Sequence, residues 1–289
     1  MTTNSIEVNK LKKSYGKNDV LHGVSFDVKQ GEVFGFLGVN GAGKTTTLSC
    51  IEGITNYNEG EIKINGKVGV QLQVSSLPAN IKCLEAIHFF AKWQKAKIDT
   101  ELIKRLGINE FKNNQYKDCS TGQKRRLHLV IALIGNPDIV ILDEPTAGLD
   151  VEGRYALHEE IRSLKKQGKT ILLASHDMAE VEELCDRIAI LKDGEIAFIG
   201  NPQELSKVVQ KSSNMQIRFN SEMEFNNLSK SKYCDMNNKY YVFQTENITE
   251  AILEIGLLAK NQNRIIQDIK IDLPTLEQQF MAIAKEKTV

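Results

Sequence analysis

VFGFLGVNGAGKT, Val33 to Thr45, passes from an unbroken apolar stretch into a glycine-rich loop and ends on a lysine and a threonine. A short apolar run without polar alternation reads as a strand buried on both faces. From Lys44 to Ile51 the apolar residues return at helical spacing, so the order is strand, loop, helix. In that context GVNGAGKT, Gly38 to Thr45, matches the phosphate-binding pattern G-x-x-x-x-G-K-[ST]. Gly41 and Gly43 let the backbone curl until its amides converge on a phosphate. Lys44 adds a point charge on the outer phosphates, and the Thr45 hydroxyl reaches magnesium. The cradle comprises Gly38, Asn40, Gly41, Ala42, Gly43, Lys44, Thr45 and Thr46.

Outward from this loop, strands are predicted at Ile6–Val8, Val24–Val28, Glu61–Ile64, Val68–Leu72, Ile139–Leu142, Ile171–Ala174 and Ile188–Leu191. Helices are predicted at Leu84–Ala96, Gln123–Ile134, Glu152–Lys166 and Ala179–Cys185. Such alternation implies an α/β layered fold. IVILDEP, Ile139 to Pro145, is an apolar strand ending in two carboxylates, which strand alternation sends to different sides. Asp143 suits the water shell of magnesium, and Glu144 suits a general base that orients an attacking water. CSTGQKRRL, Cys119 to Leu127, is a second loop of small residues opening a helix, where first-turn amides favour an anion.

Lysine and arginine balance aspartate and glutamate, 37 against 37, so no global field draws the chain to nucleic acid or an acidic membrane. The five cysteines are widely spaced and form no C-x-x-C pair, which points to reduced thiols rather than a disulfide framework or a zinc site. No signal pattern opens the chain, and the longest apolar run is broken by Asn136, Pro137 and Asp138, so no membrane crossing is expected. Lys124, Arg125 and Arg126 read as a solvated helix face, and Trp93 reads as packing, with a groove facing a partner protein as the second reading.

Taken in order, CSTGQ, IVILDEP, AGLD at Ala147–Asp150 and ILLASHD ending in His176 and Asp177 resemble the nucleotide-binding subunit of ABC transporters from Ile6 to about Leu205. That resemblance implies a P-loop NTPase of the ABC type that binds and hydrolyses ATP with Mg2+. It also implies a head-to-tail dimer, with a second copy or a paralogous ATPase subunit, that powers an integral membrane permease from the cytoplasmic face. Tyr15 then corresponds to the aromatic residue stacked on adenine, and His176 to the histidine that contacts the γ-phosphate. Gln73, in VGVQLQ, corresponds to the glutamine that meets magnesium, the register favouring it over Gln71. Ser120, Thr121, Gly122 and Gln123 correspond to the signature loop that closes on the partner's ATP, which answers why a second anion loop is present. Asp150 corresponds to the acid that couples the two sites.

Two residues depart from that pattern: Cys119 stands for the usual leucine and Thr121 for the usual first glycine. Thr121 has a Cβ and a stiff χ1, which implies looser or slower closure, and leaves a regulatory protein with weak hydrolysis as the alternative function. IGNPDIVILDEPTAGLD, VGVQLQ and PTLEQQF resemble the exporters that confer resistance to daunorubicin or bacitracin, implying export of a drug, antibiotic, lipid or polysaccharide. The domains are expected at 1–206, carrying the nucleotide site, and 207–289, a small α/β unit. In the latter KVVQKSSN is expected as a loop, SEMEFNNLSK as a helix, and Phe219, Phe225, Tyr240, Tyr241 and Phe280 as a small core. Its expected task is to promote pairing or stabilise the closed dimer, against a purely stabilising appendage.

Overall fold

The computed structural model describes residues 3–71, 76–209, 213–225, 228–272 and 276–285. The chain divides into two compact units, Met1–Pro202 and Gln203–Val289.

The first unit begins with β1 (Asn4–Tyr15), β2 (Asn18–Lys29), β3 (Val33–Gly38), α1 (Lys44–Ile51), β4 (Glu59–Ile64) and β5 (Val68–Gln71). Next come α2 (Cys83–Trp93), α3 (Thr100–Arg105), α4 (Thr121–Leu133), β6 (Ile139–Asp143), α5 (Val151–Lys166), β7 (Thr170–Ala174) and α6 (Met178–Leu184). It ends with β8 (Arg187–Lys192) and β9 (Glu195–Gly200), and α7 (Pro202–Val209) spans the division. Among the described residues one sheet has the order β2-β1-β4, and a second runs β5-β6-β7-β3-β8-β9. The second is parallel from β5 to β8, with β9 antiparallel at its edge.

Every position of β3, β6 and β7 is buried, as apolar strands flanked on both faces should be. Register decides where the chemistry lies: Gly38 pairs with Leu191 and Asp143 with Ala174, so the carboxyl ends of β3, β6 and β7 share one edge. Ligands of open α/β sheets bind outside that edge. β1 and β2 extend well beyond the predicted segments, since half or more of the residues in each are polar and mask the strand pattern.

The second unit holds β10 (Ser213–Phe219), β11 (Lys232–Asn237), β12 (Tyr240–Thr245), α8 (Ile248–Asn261), β13 (Ile266–Asp272) and α9 (Leu276–Lys285). Its sheet has the order β11-β12-β10-β13, with antiparallel pairing throughout. Asn247 caps α8 by accepting the Glu250 N–H, as expected of NITE. Three expectations are corrected. The described part of SEMEFNNLSK is not helical, because its amides are taken by side chains: Met223 N–H donates to the Tyr241 hydroxyl, and Ser229 and Lys230 N–H to the Glu254 carboxylate. α7 runs on to Val209, so the expected loop starts helical. Phe219, Phe225 and Tyr241 join the core with Phe243, but Tyr240 faces the other way beside Arg218 and Lys270, since adjacent strand residues point to opposite faces.

Candidate active site

The phosphate loop lies between the central strand β3 and α1. Gly43 caps α1 at φ 105° with no side-chain cap, and Thr47 N–H, bonded to Gly43 O at 2.9 Å, makes the first intrahelical bond. The N–H groups of Lys44, Thr45 and Thr46 therefore have no acceptor within the helix. A Cβ on Gly43 would stand 2.7 Å from Leu21 Cδ2, so both conformation and space require glycine there. The loop is pinned from behind, where Gly194 N–H donates to Ala42 O at 3.1 Å. Lys44 Nζ donates to Gly38 O at 2.5 Å. Burial pushes the Lys44 ammonium below its ordinary value, while Glu144 and Asp143 pull it back, which places all three in one electrostatic neighbourhood.

Asp143 and Glu144 diverge for a reason other than alternation. Asp143 ends β6, whereas Glu144 has left strand geometry at φ 50°, held by its N–H on Ala174 O at 2.9 Å. This left-handed backbone turns the Glu144 carboxylate toward His176, whose Nδ1 lies 2.5 Å from Glu144 Oε2. Glu144 is buried while the His176 ring is mostly exposed. Burial and then repulsion from Glu144 push Asp143 up to about 6, against Lys44 and Arg125.

The signature segment is built as a helix start. Ser120 Oγ accepts the Gln123 N–H at 3.2 Å and Gln123 Oε1 accepts the Ser120 N–H at 3.0 Å, a reciprocal cap on α4. Thr121 is exposed on the first turn, and its Cγ2 lies 3.0 Å from where a Gly148 Cβ would stand. Gly122 likewise faces Leu149, so this loop packs on AGLD of its own chain. Asp150 caps α5, its Oδ1 accepting the Gly153 N–H at 2.7 Å. Cys119 is buried with its Sγ 3.4 Å from that of Cys83, and burial helps push the Cys83 thiol up to about 12, as suits inert packing.

Tyr15 ends β1 and is 51% exposed, with the Lys13 ammonium over its ring. Gln73 lies outside the described residues. Gln71 is buried in β5 with both amide atoms unbonded among the described residues. The expected solvated face at Lys124–Arg126 is corrected: Lys124 lies over the Tyr116 ring, and Arg126 lies over Phe111 and donates to Leu106 O. Trp93 is 73% exposed, which overturns the packing reading. Sequence reasoning missed Glu180, buried on α6 and bonded to Ser175 and Thr146; a carboxylate four residues after His176 on a mixed helix gives no outward signal. A cavity of about 420 Å³ between α2, α3 and the far end of β6 includes none of these site residues in its lining.

With the geometry in place, the chain can be set against known proteins. The ABC transporter family model matches residues 21–147. An uncharacterized ABC transporter ATP-binding protein of Methanocaldococcus jannaschii is 38% identical over 208 residues, covering 70% of this chain and 79% of that protein. The chain belongs to the ABC transporter ATP-binding family. As an ABC ATP-binding subunit it is similar to the linearmycin resistance ATP-binding protein LnrL of Bacillus subtilis, 35% identical over 69% of this chain and 70% of that one. It is also similar to the Nod factor export ATP-binding protein I of Paraburkholderia xenovorans, 38% identical over 70% of this chain and 72% of that one. Solved structures agree: the ATP-binding subunit of an ABC transporter superposes with a TM-score of 0.66 at 27% identity, over 71% of this chain and 93% of its own. A dimeric bacterial ABC transporter cassette superposes with a TM-score of 0.62 at 25% identity, over 68% and 98%. ABC subunits of this kind bind and hydrolyse ATP. Among the described residues no helix is long and apolar enough to cross a membrane.

Proposed function

We propose that this ABC subunit hydrolyses ATP as half of a head-to-tail dimer, with a second copy or a paralogue, and that closure and release drive a separate integral membrane permease. The observation that carries this reading is the Glu144 carboxylate, turned by a left-handed backbone onto His176 and sharing the neighbourhood of Lys44 and Asp143. Glu144 takes the proton of the attacking water, and His176 holds that carboxylate in line and faces the γ-phosphate. Gly38 to Thr46 wrap the phosphates, with Lys44 on the outer two, while Tyr15 stacks on adenine from its exposed position at the end of β1.

Mg2+ suits the residues present. Asp143 is a buried carboxylate pushed up by burial and by Glu144, which a divalent cation would relieve, and Thr45 supplies an exposed hydroxyl. Asp143, Thr45 and Gln73 would hold the ion, which would supply positive charge against the negative charge developing on the phosphate.

Ser120, Thr121, Gly122 and Gln123 close on the partner's ATP, and Asp150 couples the two sites beside them. The permease places the subunit at the inner face of the cell membrane, and the exposed Trp93 and Phe89 of α2 suit a membrane-protein contact. Resistance and export relatives support a drug, antibiotic, lipid or polysaccharide as cargo. The second unit, 207–289 by sequence, promotes pairing; the exposed Leu253 and Leu257 of α8 favour this over simple stabilisation. A regulator with weak hydrolysis is the second reading, favoured by Thr121 against Gly148.

The test mixes two inactive subunits. Lys44→Ala and Ser120→Arg each abolish turnover alone, and mixing them should restore one composite site and measurable ATPase activity. No recovery at any ratio would mean that the signature loop does not act in trans.

A further inference from the structure

Glu180 is 2% exposed, yet it is tied to both segments that present the candidate base and its histidine. Its Oε2 accepts from Ser175 Oγ at 2.5 Å and from Thr146 Oγ1 at 3.2 Å. Ser175 immediately precedes His176, and Thr146 follows Glu144 by two residues. Ser175 Oγ also accepts the Asp177 N–H at 3.0 Å, so the one hydroxyl hydrogen is free to go to Glu180. Together with the 2.5 Å contact between His176 Nδ1 and Glu144 Oε2, these bonds close a ring through Glu144, Thr146, Glu180, Ser175 and His176. A non-glycine residue at φ 50°, as Glu144 is, persists only where its surroundings hold it.

The other oxygen of Glu180 faces α5. Oε1 makes no hydrogen bond and stands 3.5 Å from His158 Nε2, which is equally unbonded. The opposite ring nitrogen, His158 Nδ1, lies 3.2 Å from Glu183 Oε2, and Glu183 also holds Arg162. Each ring nitrogen of His158 therefore faces a carboxylate. Burial raises the Glu180 carboxyl above its ordinary value, while Ser175, His158 and Thr146 pull it down, so the ring works against a standing desolvation cost.

We propose that Glu180 is a positioning residue for ATP hydrolysis, aligning Glu144 with His176 through the Thr146 and Ser175 hydroxyls, with His158 anchoring it to α5. This rests on the reading of Glu144 as the base. One carboxylate oxygen accepts both hydroxyls while the other faces a histidine. Glutamine could keep that acceptor by turning its N–H₂ to His158, whereas leucine removes it.

The experiment uses the full chain and measures kcat and KM for ATP, affinity for a fluorescent ATP analogue, and the thermal midpoint. Glu180→Leu should lower kcat about tenfold and change KM and analogue affinity less than about twofold, since alignment is lost but the phosphate loop is not. The double variant Ser175→Ala with Thr146→Val should lower kcat to a similar degree, and adding Glu180→Leu to it should cost less than about twofold more. A purely structural role would move the thermal midpoint and leave kcat per folded molecule unchanged. If Glu180→Leu does not fold, the hydroxyl double variant carries the test alone, and its retaining full kcat would overturn the proposal. Glu144→Gln serves as the control: if it keeps turnover, the base assignment fails. If it loses turnover while the Glu180 and hydroxyl variants keep theirs, the positioning role alone fails.

Discussion

The two units treat buried charge in opposite ways. The first buries Glu32, Asp143, Glu144, Glu160 and Glu180, whereas the second, among its described residues, buries only neutral polar side chains such as Ser213, Ser231, Thr245 and Gln279. Taking a carboxylate out of water costs several kcal/mol unless it is answered. Glu32 and Glu160 are answered by Arg187 and Arg105, as structural ions are. Asp143, Glu144 and Glu180 instead face lysine, histidine and hydroxyls, weaker partners that leave the carboxylates responsive. The difference separates a unit with buried acids able to respond to their surroundings from one whose described buried polar groups are neutral.

The sharpest way to break this contrast is Glu144→Gln, which keeps shape but cannot take a proton. Turnover should fall by a factor on the order of a hundred or more while ATP still binds. A stable ATP-dependent dimer should then appear on size exclusion, and a monomer only would count against the assignment. The matching change in the second unit is Phe225→Ala, since Phe225 packs against Phe219, Tyr233, Tyr241 and Phe243. It should destabilise that unit by about 3 kcal/mol in urea unfolding and leave ATP affinity as it was. Weakened ATP binding would show that the units share the nucleotide site.

How much of this was legible in one dimension follows the same divide. The phosphate loop and IVILDEP are contiguous, so spacing and apolar character suffice to place Gly38–Thr45 and Asp143. The bond from Glu144 to His176 joins residues 32 apart, and it forms because β6 and β7 are neighbours, a fact of sheet order. Lys124 and Arg126 read as solvent-facing because three successive charges carry no sign of which face α4 turns to Tyr116 and Phe111. SEMEFNNLSK has helical composition, but Glu254 and Tyr241 supply its amides with better partners than a helix turn. Trp93 was misplaced for the opposite reason: α2 is a helix as expected, but its Trp face is left in solvent.

A smaller effect concerns pH. Burial, and then Asp143, push Glu52 up to about 7 from an ordinary 4.5. Between those values the folded chain holds a proton that the unfolded chain does not, so the stability of the first unit falls as pH rises through that window. Partial exposure of Glu52 screens the effect, so the loss is smaller than the roughly 3 kcal/mol of the full shift. In the second unit Glu254 is shifted the other way: slight burial is outweighed by hydrogen bonds from Ser229, Lys230 and Ser231. A lowered carboxyl favours the folded state above its unfolded value and loses that contribution as pH falls. Glu52→Gln should therefore raise the first unit's urea midpoint at pH 8 and leave it near wild type at pH 4.5. An unchanged pH slope would remove Glu52 from the account.

The smallest expected effect lies at Thr121, where the first unit meets its own AGLD turn. Thr121 opens α4 with an exposed side chain whose methyl sits against Gly148, two residues before the Asp150 cap of α5. Glycine costs roughly 0.5–1 kcal/mol in a helix interior and less at a first turn, so Thr121→Gly should not unfold α4. It removes a Cβ from the surface expected to meet the partner's phosphates, and a stiff χ1 with it. If the threonine slows closure, kcat should rise about two- to fivefold with KM nearly constant, a change of under about 1 kcal/mol in barrier. If instead the methyl braces the turn that carries Asp150, kcat should fall, and Thr121→Val, which keeps the methyl and loses the hydroxyl, should restore it. Steady-state ATPase rates of the two variants decide between a brake and a brace, and equal rates in all three proteins would exclude both.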